Sequence, residues 1–292
     1  MSVAEAVATV AGMLRARLSH VALGSPDVDR ARRFYEDAVG LRPDAEAPDG
    51  IVRLGLGLGA HVLELREGDG IDHFALEVSD AAGLAGLERE LARRGVATRW
   101  VEPGGDHPRA LSFTDPDGHR VELHGRIDRS GEGLGDPGRR PVRIHHVTVT
   151  TPDVPALEEF YVSTLGFAVS DRMGERFTWL RCNTEHHTLA IVEGPSGGLD
   201  HLCFEISCWE DIRTWCDELA ARGVAITWGP GRHGPGNNLF VMFDDADGVH
   251  VELSCEMERF WDDRVEYPRP REWAEDPRTV NLWGPVPAWR EA

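Results

Sequence analysis

His146, His201 and Glu252 are side chains that can ligate a divalent metal, and each sits in a short strand-like run, over residues 143–149, 198–204 and 248–253. Two imidazoles and one carboxylate can hold a cation on one side and leave the other side open. That donor set suits non-haem Fe(II), with an organic substrate and O₂ bound side by side; Mn(II) accepts the same ligands. Side chains alternate between the two faces of a strand. His146 therefore shares a face with Ile144 and Thr148, and His145 points the other way.

Four runs in the chain begin alike, and their histidines His20, His73, His146 and His201 are separated by 53, 73 and 55 residues. This register selects His146 over His145. Each unit opens with an alternating strand, followed by a turn and a helix. Ser25-Pro26-Asp27 precedes a helix from Val28, and Thr151-Pro152-Asp153 one from Val154, with the small polar residue before Pro as the start signal. Gly40, Gly95, Gly166 and Gly223 end the helices, and three short strands follow. The expected fold is α+β: four βαβββ modules paired into two domains, each a curled mixed sheet forming a cup with helices outside. The modules fill residues 17–125 and 143–255. Residues 1–16 read as an N-terminal helix, and 126–142, rich in Gly, Pro, Asp and Arg, as a linker. A cup is expected to bring His201 and Glu252, on the first and last strands of one module, within reach of a common cation.

With 292 residues the chain is long enough for two domains, and 41% hydrophobic residues fits a globular protein. A net charge of −19 argues against nucleic acid or an anionic membrane as partner. All 31 basic side chains are Arg. Five cysteines, all in the second half and without paired metal spacing, read as reduced thiols in a cytoplasmic protein.

The repeat and the Gly229-Pro230-Gly231-Arg232-His233-Gly234 run, with Glu252 eighteen residues beyond it, resemble the vicinal oxygen chelate superfamily. Within it the chain is similar to the two-domain type I extradiol dioxygenases of the homoprotocatechuate and catechol 2,3-dioxygenase branch. The resemblance covers about residues 17–255 and is sharpest from 143 onward. It implies an Fe(II)-dependent ring-cleaving dioxygenase that inserts O₂ into a catechol or related aromatic diol and works as a homo-oligomer.

The resemblance also assigns roles. His187, in the run His187-Thr188-Leu189-Ala190, matches a catalytic acid–base histidine; a one-residue slip of the strand would substitute His186. His233 matches a histidine near substrate or oxygen, and Trp179 a wall of the substrate cavity. Thr148, Trp228 and Met242 complete the expected substrate set. Met242 stands where the resembled enzymes carry a tyrosine, and methionine cannot donate or relay a proton. Trp228, with Thr279 and Val280, stands where that branch has arginines for a substrate carboxylate, which points to an apolar or aromatic substituent. The tail 256–292, with Trp261, Trp273, Trp283 and Trp289, is expected to cover the pocket or to meet another chain.

His20, Glu64, His73 and Glu122 are either a second metal site or ancestral side chains satisfied by hydrogen bonds. Met242 and this quartet support a second reading: a metal-dependent superfamily member catalysing another oxygenation, isomerisation, lysis or hydrolysis. A non-catalytic ligand-binding protein is a third class, disfavoured because sequestration needs no open coordination site.

Overall fold

The computed structural model describes residues 14–43, 50–57, 59–104, 107–127, 129, 140–260 and 270–288. Four βαβββ modules follow one another along the chain. The first comprises β1 (Ala16–Ser25), α1 (Val28–Phe34), β2 (Arg42–Pro43), β3 (Val52–Gly55) and β4 (His61–Glu67). The second comprises β5 (Ile71–Val78), α2 (Leu84–Arg93), β6 (Thr98–Val101), β7 (Ala110–Thr114) and β8 (Arg120–His124). The third comprises β9 (Arg143–Thr151), α3 (Val154–Leu165), β10 (Ala168–Met173), β11 (Phe177–Arg181) and β12 (Leu189–Glu193). The fourth comprises β13 (Gly198–Glu205), α4 (Trp209–Ala221), β14 (Ile226–Arg232), β15 (Leu239–Asp244) and β16 (His250–Cys255). The tail adds β17 (Arg271–Trp273) and α5 (Pro277–Val280).

Modules one and two share a sheet ordered β2-β3-β4-β1-β5-β8-β7-β6. Modules three and four share another, ordered β14-β15-β16-β13-β9-β12-β11-β10-β17. The first and last strands of each module pair directly and in parallel, as β13 does with β16. Glu252 and His201 are thus brought together by strand pairing, and no curl of the sheet is needed between them. Ala16 already belongs to β1, so the expected N-terminal helix cannot reach it; residues 1–13 lie outside the described residues. Most of the expected linker, and Trp261 and Trp289, also lie outside them.

Local chemistry explains the helix starts, with one change from expectation. Asp27 and Asp153 are the caps, their carboxylates accepting from the N–H groups of Arg30 and Ala156, both at 3.0 Å. Ser25 and Thr151 instead accept from the N–H groups of those aspartates at 3.1 and 3.0 Å. The turn is thus stapled twice. The first helix continues through a wide turn, Tyr35–Val39, to Gly40 (φ 76°), and α3 ends at Gly166 (φ 73°); both glycines supply the left-handed conformation.

Two reciprocal bonds join the halves. Tyr35, in the first half, donates its hydroxyl to Asp245 in the β15–β16 turn at 2.8 Å. Tyr161, on α3, donates to Asp115 in the β7–β8 turn at 2.8 Å. Both tyrosines are fully buried and continue the apolar core that runs under the two sheets. The N-terminal strand reinforces the contact, Ala16 N–H donating to the Cys182 carbonyl at 3.1 Å. Among the described residues, no helix is long and apolar enough to cross a membrane.

Candidate metal centre

His146, His201 and Glu252 lie on β9, β13 and β16, three neighbouring strands of the second sheet. Register sets their meeting: Cys203 is opposite His146 and beside Glu252, and His201 is opposite Thr148. The ligand atoms of the trio all lie within 4.8 Å of one another, and all three residues are buried. Glu252 Oε2 is 3.2 Å from His201 Nε2 and 3.5 Å from His146 Nε2. Two nitrogens and one carboxylate oxygen thus converge in the order the sequence repeat implies.

Hydrogen bonding shows what this cluster can hold. The Asp200 carboxylate can only accept, so His201 Nδ1, 2.5 Å away, must donate. A neutral His201 ring then turns its Nε2 lone pair toward Glu252, acceptor against acceptor. A proton or a cation must sit between them, and a carboxylate–histidine pair of this kind is the usual support behind a metal ligand. Burial alone raises the Glu252 carboxyl, but the bonds from His146 and His201 outweigh it and hold it well below the usual carboxylate range. Burial lowers His201, yet Asp200 and Glu252 reverse that and raise it. The second Glu252 oxygen accepts from Asn238 Nδ2 at 3.1 Å. The nitrogen and oxygen donor set suits Fe(II) or Mn(II).

His187 and His186 separate cleanly. His187 lines the cavity beside the trio, its ring centroid 4.3 Å from that of His146. His186 faces away and bonds Asp171 Oδ2 through Nε2 at 2.9 Å, while its Nδ1 is 2.9 Å from His187 Nδ1. Asp171 only accepts, so His186 Nε2 donates and its Nδ1, in the neutral ring, must accept. His187 then donates from Nδ1 and keeps a lone pair on Nε2. Burial keeps both rings neutral by lowering His186 and lowering His187 further. Asp171 is itself fixed by the tail, accepting from Arg271 Nε and Trp273 Nε1, both at 2.7 Å.

The cavity has a volume of about 30 Å³, room for one water-sized guest. Its walls include Thr148, Phe177, Trp179, Trp228, His233 and Val280. Phe177 and Trp179 stack at 4.0 Å and 18°. His233 lies flat on Phe240 at 3.8 Å, bonds the Val280 carbonyl through Nδ1 at 2.5 Å, and is pushed down to about 4 by burial. Phe177 and Val280 also wall an outer cavity of about 860 Å³, which makes them the partition between the two spaces.

Not every expected pocket residue reaches the cavity. Met242 pairs with Glu252 across the strands but packs in an apolar cluster with Trp228, Phe240 and Val280. Thr279 donates its hydroxyl to the Ala274 carbonyl at 2.9 Å. Arg232 turns outward to Glu256, 3.0 Å away, and to the Trp283 ring. In the Gly-Pro-Gly-Arg-His-Gly loop, Gly231 and Gly234 are needed because the tail comes so close. A Cβ at Gly234 would meet the Thr279 carbonyl at 2.5 Å, and one at Gly231 would meet Asn281 Oδ1 at 2.6 Å. Asp200, Asn238, Phe177 and Pro235 went unnoticed in the sequence. Only Asp200 left a signal there, the Asp-His dipeptide that recurs as Asp72-His73.

Known proteins share this architecture. The chain is 25% identical over 261 residues to the manganese-dependent 2,3-dihydroxybiphenyl 1,2-dioxygenase of Geobacillus genomosp. 3, covering 80% of this chain and 83% of that one. It is 28% identical over 235 residues to the iron-dependent extradiol dioxygenase of Rhodococcus jostii (strain RHA1), covering 71% and 75%. Among solved structures, the Mn(II)-bound glyoxalase from Novosphingobium aromaticivorans superposes with a TM-score of 0.83 at 27% identity, covering 94% of this chain and 92% of that one. The sequence model of the Glyoxalase/Bleomycin resistance protein/Dioxygenase superfamily matches residues 17–123 and 143–253, and the chain belongs to that superfamily.

Proposed function

We propose that the chain is a metal-dependent extradiol-type dioxygenase that cleaves a catechol or related aromatic diol with O₂. The observation that carries this reading is the buried His146, His201 and Glu252 trio, with a neutral His187 across an aromatic-walled cavity. The two relatives named as dioxygenases support it. Bound by the trio, Fe(II) or Mn(II) would supply the Lewis-acidic, redox-active centre at which the diol and O₂ meet.

The protein's own groups do the rest. His187 Nε2, the atom left with a lone pair, takes and returns a proton at the reacting face. Asp171 and His186 hold that tautomer through two hydrogen bonds. Phe177 and Trp179 present a flat apolar wall for an aromatic ring, and Trp228 and Val280 exclude water. Thr148 Oγ1, 3.1 Å from His201 Nε2, sits where it can bond an incoming oxygen. No tyrosine hydroxyl stands at Met242, so substrate deprotonation falls to the histidines.

The outer cavity selects the substituent. Among the described residues, Glu193, Asp200, Glu275 and Asp276 line it with a single cation, Arg176, which is already 2.6 Å from Glu193. An anionic side chain is repelled there and a neutral apolar one is not. Met173, Val192 and Val286 supply apolar contact. A ring larger than the inner cavity enters by displacing Phe177 or Val280. The protein works in the cytoplasm as a homo-oligomer, and the exposed Trp209, Leu282 and Trp283 offer an apolar contact surface.

Oxygen uptake matched one-to-one by a yellow ring-fission product from an alkylcatechol is the expected result for the Fe(II)- or Mn(II)-loaded protein. Turnover of a substrate under strict anaerobiosis would replace this reading with the second one. That second reading, a glyoxalase-like isomerisation, is favoured by Met242 and by the likeness to the Mn(II)-bound glyoxalase.

A further inference from the structure

The N-terminal half holds a second buried constellation in the register of the first. His20 is opposite Ala75, which is beside Glu122, and His73 is opposite Ala22. These pairings repeat those of His146, Glu252 and His201 strand for strand. His61 lies three residues before Glu64, as His187 lies three before Ala190, and Glu64 and Ala190 occupy matching positions beside Ala22 and Thr148. The His20 and His61 ring centroids are 4.3 Å apart, the separation found between His146 and His187.

We propose that this half binds its own divalent transition-metal ion through His20, His73, His107 and Glu122. The ligand nitrogens of the three histidines lie within 4.8 Å of one another, and all three residues are buried. His20 Nε2 and His73 Nε2 are 3.0 Å apart. Two nitrogens each about 2.1 Å from one cation and at right angles to each other lie about 3.0 Å apart. Glu122 Oε2 is 3.2 Å from His107 Nε2 and 3.9 Å from His73 Nε2.

Behind His73 stands Asp72, its Oδ2 2.8 Å from Nδ1, repeating the Asp200–His201 support. Arg120 also reaches Asp72 and lies 2.7 Å from the same nitrogen. His20 Nδ1 is buried with no hydrogen-bond partner among the described residues, and the ring faces the other donors through Nε2. Glu64 is not part of the set: Arg53 at 2.9 Å and Arg66 at 2.7 Å already claim its oxygens. His107 enters from the β6–β7 connection, and its C-terminal counterpart is the β14–β15 connection that carries His233 over the cavity. The N-terminal half thus offers four protein donors to one ion, three imidazoles and a carboxylate.

The test is a Mn(II) count on the full-length chain, independent of any reaction. About two ions per chain are expected in the wild type, about one in the His20→Ala/His73→Ala variant and about one in the His146→Ala/His201→Ala variant. Pulsed electron paramagnetic resonance should show Mn–Mn dipolar coupling in the wild type that either variant abolishes. Should the first variant not fold, His107→Asn serves in its place, with one of the two Mn(II) affinities weakened about tenfold or more. A single wild-type ion, lost entirely on changing His146 and His201, overturns the proposal. So does a His107→Asn titration indistinguishable from the wild type.

Discussion

His187→Asn removes the acid–base group while leaving the trio intact. His187 lies on the cavity wall, and its nearest histidine neighbours are the His146 ring at 4.3 Å and His186 Nδ1 at 2.9 Å. A positioned acid–base group contributes about 10²–10⁴-fold, so kcat should fall by that factor while metal content stays at the wild-type level. His186→Asn tests the support behind it. Losing one neutral hydrogen bond costs about 1 kcal/mol, so the reactive His187 tautomer should lose about a factor of five in population. The kcat of His186→Asn should therefore fall about fivefold with KM little changed, and its pH profile should shift. Single-turnover kinetics under anaerobic mixing, followed by an O₂ pulse, isolates the chemical step. If His187→Asn retains wild-type kcat, or if His186→Asn is the more damaged of the two, the assignment of the base is wrong.

Four further outcomes follow from the same geometry. Asp200→Asn replaces the charged acceptor behind His201 with a neutral amide and should weaken metal binding about 10–100-fold in a chelator competition. Tyr161→Phe leaves the buried Asp115 without one donor and should cost about 1–3 kcal/mol in a denaturant titration. For His119, burial lowers the imidazole, but the Asp115 bond outweighs it and raises it above its ordinary value. The protonated form thus stabilises the fold fully below the unfolded value of about 6.5, and the contribution fades as pH rises through the folded value. The melting-temperature gap between wild type and His119→Gln should accordingly narrow from pH 6 to pH 9. Removing residues 270–292 strips Arg271 and Trp273 from Asp171 and Val280 from the cavity wall, and should impair turnover; unchanged kinetics would remove the tail from the account.

The repeat made much of this molecule legible. Alternation and the spacing of four histidines favoured His146 over His145, and the repeat put His201 and Glu252 on the first and last strands of one module, although direct strand pairing rather than the expected curl brings them together. The helices start at Val28 and Val154 as expected, but Ser25 and Thr151 only brace the turn, and the aspartates two residues on make the capping bonds. The tautomer relay was invisible because Asp171, on β10, precedes His186 by fifteen residues, and His186 reaches it from the connection between β11 and β12. His107 was missed because it lies in the β6–β7 connection, outside the strand runs from which the repeat was read. Glu64 looked equivalent to a ligand until two arginines were seen to hold it.

The most direct measurement is an anaerobic crystal structure of the Mn(II)-loaded chain soaked with an alkylcatechol, read by anomalous scattering. The account predicts a metal peak bonded to His146 Nε2, His201 Nε2 and a Glu252 oxygen, with the diol's two oxygens in the cavity beside His187. A C-terminal half that binds no metal at these atoms, or a diol bound away from them, would contradict it.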